Sequence, residues 1–113
     1  MHASIIERTN TVSLSVIDAT TSHLINFEVD CWKEGMLDKL IASHDRRRYA
    51  AINAGPQLRL FVDACHSDRY LWVRSEDGYT GSISFTDVVK AALLEIDRIL
   101  AAKYQPKQVT PTC

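Results

Sequence analysis

The chain has 113 residues, of which 46% are hydrophobic and 24% charged, and its formal net charge is -1. This length predicts one domain with its own core, and the composition excludes wholesale disorder. The near-neutral charge argues mildly against a dedicated nucleic-acid binder, because such proteins usually carry a basic excess. We expect a single globular domain over residues 1–104 and a flexible tail over residues 105–113, which contains two prolines.

The sequence patterns predict no secretory signal, no membrane-spanning segment and no disulfide framework. The first ten residues include an acidic Glu7 and no basic lead, so we expect no secretory signal. No apolar run approaches the ~20 residues that span a bilayer, and we predict no membrane partner. Cys31, Cys65 and Cys113 are an odd number of widely spaced cysteines, which predicts reduced thiols and a cytoplasmic location.

Two segments near the N-terminus alternate apolar and polar side chains. Residues 11–18 have the period-two pattern of a half-buried strand. Residues 23–31 alternate in the same way and are rich in β-branched and aromatic side chains, which predicts a second strand and a hairpin. Ile25, Val29 and Trp32 also fit helical spacing, so a helix over this second segment is the alternative.

Two amphipathic helices are predicted from apolar residues spaced three and four apart. The first lies between Asp30, its candidate N-cap, and Asn53. The second begins at Ser84 as N-cap and ends at Tyr104, before a proline. The stripe that this second helix is expected to bury contains Phe85, Val88, Val89, Ala92, Leu93, Ile96, Ile99 and Leu100.

Between the two helices, alternation predicts three consecutive strands over residues 57–65, 69–75 and 79–83. Consecutive strands with short connections favour an antiparallel meander. The element order is then β-β-α-β-β-β-α. We therefore predict an α+β fold with an antiparallel sheet of about five strands, packed with two helices.

Arginines and aromatic rings alternate on one face of the predicted meander. The members of this face are Arg59, Phe61, Tyr70, Trp72 and Arg74. Such a face suits single-stranded nucleic acid, because bases stack on rings and guanidinium groups meet phosphates. The alternative is that the helix over residues 30–53 covers the rings. The sequence has no fingerprint of an RNA-binding domain, so we favour the covered arrangement.

A run of three arginines, Arg46, Arg47 and Arg48, is the only charge cluster. On a helix, successive residues are ~100° apart, so the run would surround the helix and not line one face. Positive charge is also favoured near a helix C-terminus. We expect a solvated helix end, with contact to a phosphate or an acidic partner as the alternative.

The stretch Cys65, His66, Ser67 and Asp68 gathers four reactive side chains. A cysteine nucleophile needs a histidine oriented toward its sulfur. Successive side chains of an extended chain point to opposite sides, so we expect Cys65 and His66 to point apart. The cysteines and histidines also match no zinc-binding spacing. We predict no catalytic residue, no metal and no cofactor.

A narrow apolar strip lies outside the main stripe of the second helix. Its members are Ala91, Leu94, Arg98 and Ala101, and such a strip is typical of contact with another helix or a second copy. We therefore favour a non-enzymatic domain that binds protein, either its own copy as a homodimer or another chain. Single-stranded nucleic-acid binding is the second hypothesis, and a cysteine- or metal-dependent enzyme is the third.

Overall fold

A computed structural model of the chain describes residues 2–17, 22–55, 58–67, 69–75 and 80–104. The tail predicted over residues 105–113 lies outside the described residues. In chain order the elements are β1 (His2–Glu7), β2 (Thr11–Ile17), β3 (Ser22–Glu28), a 3-10 turn (Val29–Cys31), α1 (Met36–Asp45), β4 (Tyr49–Gly55), β5 (Leu58–Asp63), β6 (Tyr70–Ser75), β7 (Thr80–Ser84) and α2 (Asp87–Lys103).

The strands form two antiparallel sheets, one ordered β1-β2-β3 and the other β4-β5-β6-β7. The predicted α+β class with antiparallel strands is confirmed. The predicted single sheet of about five strands is wrong, because the described residues contain seven strands in two sheets. The expected hairpin corresponds to β2 and β3, and the expected meander to β5, β6 and β7.

The predicted helix between Asp30 and Asn53 is wrong at both ends. Its N-cap is Gly35, whose φ of 78° lies in the left-handed region that favours glycine. The helix ends at Asp45 because Arg47 adopts a φ of 58°, and the Arg48 N–H then donates to the carbonyl oxygen of residue 43 at 2.8 Å. The residues that follow extend into β4, which pairs with β5.

Strand β1 is absent from the sequence-based prediction. It pairs with β2 along its length, with Ile5 opposite Leu14. Ala3 and Ile5 lie against the core, whereas Ile6 is exposed. At the other end of this sheet, β3 stops at Glu28, since Val29–Cys31 form a 3-10 turn. The helical alternative for residues 23–31 is therefore wrong, and the strand is shorter than predicted.

Helix α2 follows the prediction more closely. Its N-cap is Thr86, whose Oγ1 accepts a 3.4 Å hydrogen bond from the Val89 N–H. Ser84 is not the cap, because it still belongs to β7. Six members of the predicted stripe are buried, Ile99 is half-buried, and Val88 is 48% exposed and does not belong to the stripe.

One hydrophobic cluster joins both sheets and both helices. It contains Leu14 and Phe27 from the first sheet, Leu60 from the second, Leu40 from α1 and Leu93 from α2. The helices thus pack on the inner sides of the sheets. Neither helix of the described residues is long and apolar enough to cross a membrane.

Candidate functional site

The outer face of the four-stranded sheet carries the aromatic and arginine residues singled out in the sequence. In β5 the side chain of Leu60 points into the core, so its neighbours Arg59 and Phe61 point outward. In β6 Leu71 points inward, and Trp72 outward. Helix α1 packs on the inner side, and no described element covers the outer face. The arrangement favoured from sequence, with a helix covering the rings, is therefore wrong.

Four aromatic rings form a continuous row on this outer face, which we term the aromatic ladder: Tyr49, Phe61, Trp72 and Tyr70. Phe61 and Trp72 are directly opposed and stacked, with ring centroids 6.1 Å apart and an interplanar angle of 11°. The ring centroid of Tyr49 lies 6.2 Å from that of Phe61, and the ring centroid of Tyr70 lies 5.7 Å from that of Trp72. The two central rings are half-buried and the two tyrosines are exposed, so each ring of the ladder is in part accessible to solvent.

Tyr49 was not among the residues singled out from sequence, because its segment was assigned to a helix. Its exposed side chain, 58% accessible, joins the ladder because β4 pairs with β5. The signal that could have identified it is the alternation of Tyr49, Ala51 and Asn53 against Ala50 and Ile52. Alanines on both faces of this strand weaken that alternation.

Two arginines occupy the next row of the outer face. Arg59 is directly opposite Arg74 across β5 and β6, and both side chains are exposed. Neither guanidinium forms an ion pair within the described part of the chain. Two like charges in opposite cross-strand positions repel each other. This row is therefore the place on the face where an anion would be favoured.

The three consecutive arginines form the turn between α1 and β4. The Arg46 N–H donates to the Ala42 carbonyl oxygen and closes the helix, and the left-handed Arg47 redirects the chain. All three are exposed, and Arg48 directly precedes Tyr49. The run therefore connects α1 to β4. The sequence-based expectation that these three arginines surround a helix is wrong.

A groove of about 500 Å³ runs along β4, which is an edge strand of its sheet. It is lined by the five consecutive β4 residues 49–53 and by Met36, Lys39 and Ser43, which lie on one face of α1. Lys33 contributes a second cation. Because Tyr49 belongs to both the groove and the ladder, the two features are contiguous.

The turn after β5 brings together Asp63, Cys65 and His66, which we term the turn cluster. Asp63 Oδ1 lies 2.9 Å from Cys65 Sγ and 2.9 Å from His66 Nδ1. Cys65 Sγ lies 3.4 Å from His66 Nδ1. The expectation that Cys65 and His66 point apart is therefore wrong. It assumed an extended backbone, whereas residues 64–66 form a turn.

Charge in the turn cluster favours the protonated thiol. The hydrogen bond to the Asp63 carboxylate raises the pKa of Cys65, and the same carboxylate raises the pKa of His66. The pKa of Asp63 is lowered, because Cys65 and then His66 donate to it. An activated cysteine nucleophile needs a lowered thiol pKa. This arrangement does not provide one.

The helix strip, Ala91, Leu94, Arg98 and Ala101, lies on the outer side of α2. All four residues are exposed, and Leu94 is 46% accessible. Arg98 also pairs with Glu95 one turn earlier, through its Nε at 3.1 Å. The strip is accessible to a partner and takes no part in the core.

Comparison with protein-family models, with curated proteins and with solved structures finds no match for this chain.

Proposed function

We propose that the protein binds single-stranded nucleic acid across the outer face of its four-stranded sheet. The observation that carries the proposal is the aromatic ladder on a sheet face that no described element covers. Unpaired bases stack on such rings, and each stacked base is worth ~1–3 kcal/mol. The stacked pair Phe61 and Trp72 forms the middle of the ladder, between the two exposed tyrosines.

The opposed arginines support a polyanionic ligand. The repulsion between Arg59 and Arg74 costs folding energy when the row is empty of anions. A phosphate seated between two guanidinium groups would offset that cost through charge-assisted hydrogen bonds. Among the described residues, neither arginine side chain belongs to the hydrophobic cluster.

The distribution of charge on the outer face supports a particular placement of the phosphates and bases of the bound nucleic acid. Asp63 lies on the outer face opposite Tyr49, so that end of the ladder carries a carboxylate. We expect phosphates to concentrate at the Arg59 and Arg74 row and bases to stack along the ladder. The groove that Tyr49 also lines contains Lys33 and Lys39 together with the acidic Glu34, so it adds one net positive charge. The overall charge of -1 lacks the basic excess usual in nucleic-acid binders, so the proposal relies on the local field of these cations.

The test is fluorescence anisotropy with labelled oligo(dT) and oligo(U) at low ionic strength. Trp72→Ala should weaken binding roughly 5- to 150-fold, the equivalent of one stacked base. The matched control is Leu24→Ala, an exposed apolar side chain on the three-stranded sheet, which should bind like the parent protein. Replacing Arg59 and Arg74 by Ala should make the slope of log K against log salt concentration less steep, by about 0.7 for each lost phosphate contact.

Two results would contradict the proposal. One is the absence of binding to either oligonucleotide at low ionic strength. The other is equal affinity for the parent protein and Trp72→Ala, which would mean that the rings do not stack with bases. Circular dichroism of each variant excludes misfolding as the cause of a loss.

A second candidate function is self-association through the helix strip. The observation in its favour is that Val88, which is almost half exposed, extends the strip by one turn beside Ala91 and Leu94. Sedimentation velocity at tens of micromolar tests it. A dimer that Leu94→Ser dissociates supports this function, and a monomer removes it.

A further inference from the structure

We propose that the turn cluster is a zinc site, with Asp63, Cys65 and His66 as its three protein ligands. The proposal does not depend on nucleic-acid binding, since none of the three residues is part of the aromatic ladder. A carboxylate oxygen, a thiolate sulfur and an imidazole nitrogen are the three donor types that zinc takes from proteins.

The backbone already holds the three side chains on one side of the turn. The Asp63 carbonyl oxygen accepts hydrogen bonds from the N–H groups of His66 at 3.0 Å and Ser67 at 2.9 Å. These two bonds fold the chain back directly after β5. As a result the donor atoms of all three ligands lie within 4.8 Å of one another.

The distances between donors are close to those of a metal centre. Zinc bonds of about 2.0 Å to nitrogen or oxygen and about 2.3 Å to sulfur give tetrahedral edges of roughly 3.3–3.6 Å. The separation of Cys65 Sγ and His66 Nδ1 is 3.4 Å, within that range. Asp63 Oδ1 lies 2.9 Å from each of them, so a shift of about half an ångström in one carboxylate completes the geometry.

Metal binding would replace the internal hydrogen bonds of the turn. The Cys65 thiol, which donates to Asp63, would release its proton to solvent as the sulfur binds the metal. A neutral His66 would move its single ring proton from Nδ1 to Nε2, which frees Nδ1 for the metal without net release, whereas a protonated His66 would release one proton and keep the other on Nε2. Three protein ligands leave a fourth position for water or an external group, as in open zinc sites.

The test is titration calorimetry of the reduced, full-length protein with zinc chloride, with cobalt as a spectroscopic probe. The background is Cys31→Ser with Cys113→Ser, so that Cys65 is the remaining thiol. We expect a 1:1 complex, protons released in proportion to the metal bound, and a cobalt spectrum with tetrahedral bands and a thiolate charge-transfer band.

Variants of each ligand test the assignment. Cys65→Ser, His66→Gln and Asp63→Asn should each weaken zinc binding at least about tenfold, because even indirect supporting groups cost 10- to 100-fold. Cys65→Ser should also remove the charge-transfer band. His23→Gln is the matched control and should bind zinc unchanged. The proposal is overturned if zinc does not bind stoichiometrically, or if Cys65→Ser binds as tightly as its parent.

Discussion

The indole N–H of Trp32 donates a 2.7 Å hydrogen bond to the carboxylate of Asp97. Trp32 is only 5% exposed, and its ring lies 5.4 Å from that of Tyr104. A buried indole needs such an acceptor, because its N–H would otherwise lose hydration without compensation. The bond therefore ties the segment before α1 to the middle of α2, 65 residues further along the chain.

Removing the acceptor should destabilise the protein. In Asp97→Ala the buried indole N–H loses its partner, and we expect a loss of ~1–3 kcal/mol in the free energy of unfolding. Asp97→Asn keeps a carbonyl acceptor and should lose less. The control is Glu95→Ala, which breaks the exposed pair with Arg98 and should leave stability almost unchanged. Urea unfolding measures all three, and equal losses for Asp97→Ala and Glu95→Ala would contradict the role of this bond.

The two sides of α2 should respond differently to truncation. Ile96 is fully buried, so Ile96→Ala should cost ~2–5 kcal/mol through lost apolar contact and a residual cavity. Leu94 is nearly half exposed, and Leu94→Ala should cost much less in a monomer. Chemical denaturation at concentrations below any self-association compares the two variants. Similar losses would mean that the buried side of α2 is assigned incorrectly.

The parts of the fold that the sequence predicts are those where one periodicity dominates. Strand β2 alternates polar and apolar residues from Thr11 to Val16, and α2 buries a stripe of large apolar residues around Leu93 and Ile96, so both are recognisable without coordinates. The outward direction of Phe61 and Trp72 follows from the same alternation. Whether a helix covers those rings depends on packing between distant elements, which periodicity does not contain.

The sequence-based predictions for β4, for the end of α1 and for the turn cluster are wrong for specific physical reasons. Alanines on both faces of β4 are compatible with helix and strand alike, so the pattern predicts a continuation of α1 where the structure has a strand. The helix ends where Arg47 adopts left-handed backbone angles, and an arginine gives no sequence signal for that conformation. In the turn cluster, the side chains of Cys65 and His66 meet because the backbone turns, a feature set by hydrogen bonds to the Asp63 carbonyl.

The pair between Asp45 and Lys90 should make a pH-dependent contribution to stability. Lys90 Nζ donates a 2.9 Å hydrogen bond to Asp45, which lowers the pKa of that carboxyl below its ordinary 3.8, with a smaller contribution from His44. Because the folded-state pKa is lowered, the contribution is fully present above the unfolded-state pKa. It is lost as the pH falls through the folded-state value.

Asp45→Asn isolates this contribution. Asp45 is more than half exposed, so the substitution should cost only ~0.2–1 kcal/mol near neutral pH. The variant and the parent should become equally stable well below pH 3.8, where both carry an uncharged group. The contact of Lys90 with the Phe85 ring, at 5.6 Å, does not involve Asp45 and is therefore common to both proteins. Urea unfolding across the acidic range measures the difference, and a constant difference at all pH values would contradict its electrostatic origin.

The opposed arginines of the outer face predict a conflict between stability and binding. Arg59→Glu replaces repulsion with Arg74 by a cross-strand attraction, which should raise the free energy of unfolding by ~0.2–1 kcal/mol. If Arg59 contacts phosphate as proposed, the same change removes that contact and adds a negative charge, so it should weaken oligonucleotide binding more than Arg59→Gln does. Urea unfolding and fluorescence anisotropy on the same samples measure the two effects.

Ionic strength separates this explanation from a change in packing. The gain in stability should shrink as salt is added, because the two side chains are exposed and their charges are screened. Arg59→Gln, which removes the repulsion without adding an attraction, should fall between the parent and Arg59→Glu. A loss of stability in Arg59→Glu would mean that the arginine stem packs on the sheet and that its charge is not what costs folding energy. A gain of stability in Arg59→Glu would mean that the arginine costs folding energy. Such locally unfavourable residues are expected at functional sites, where a ligand compensates for the cost.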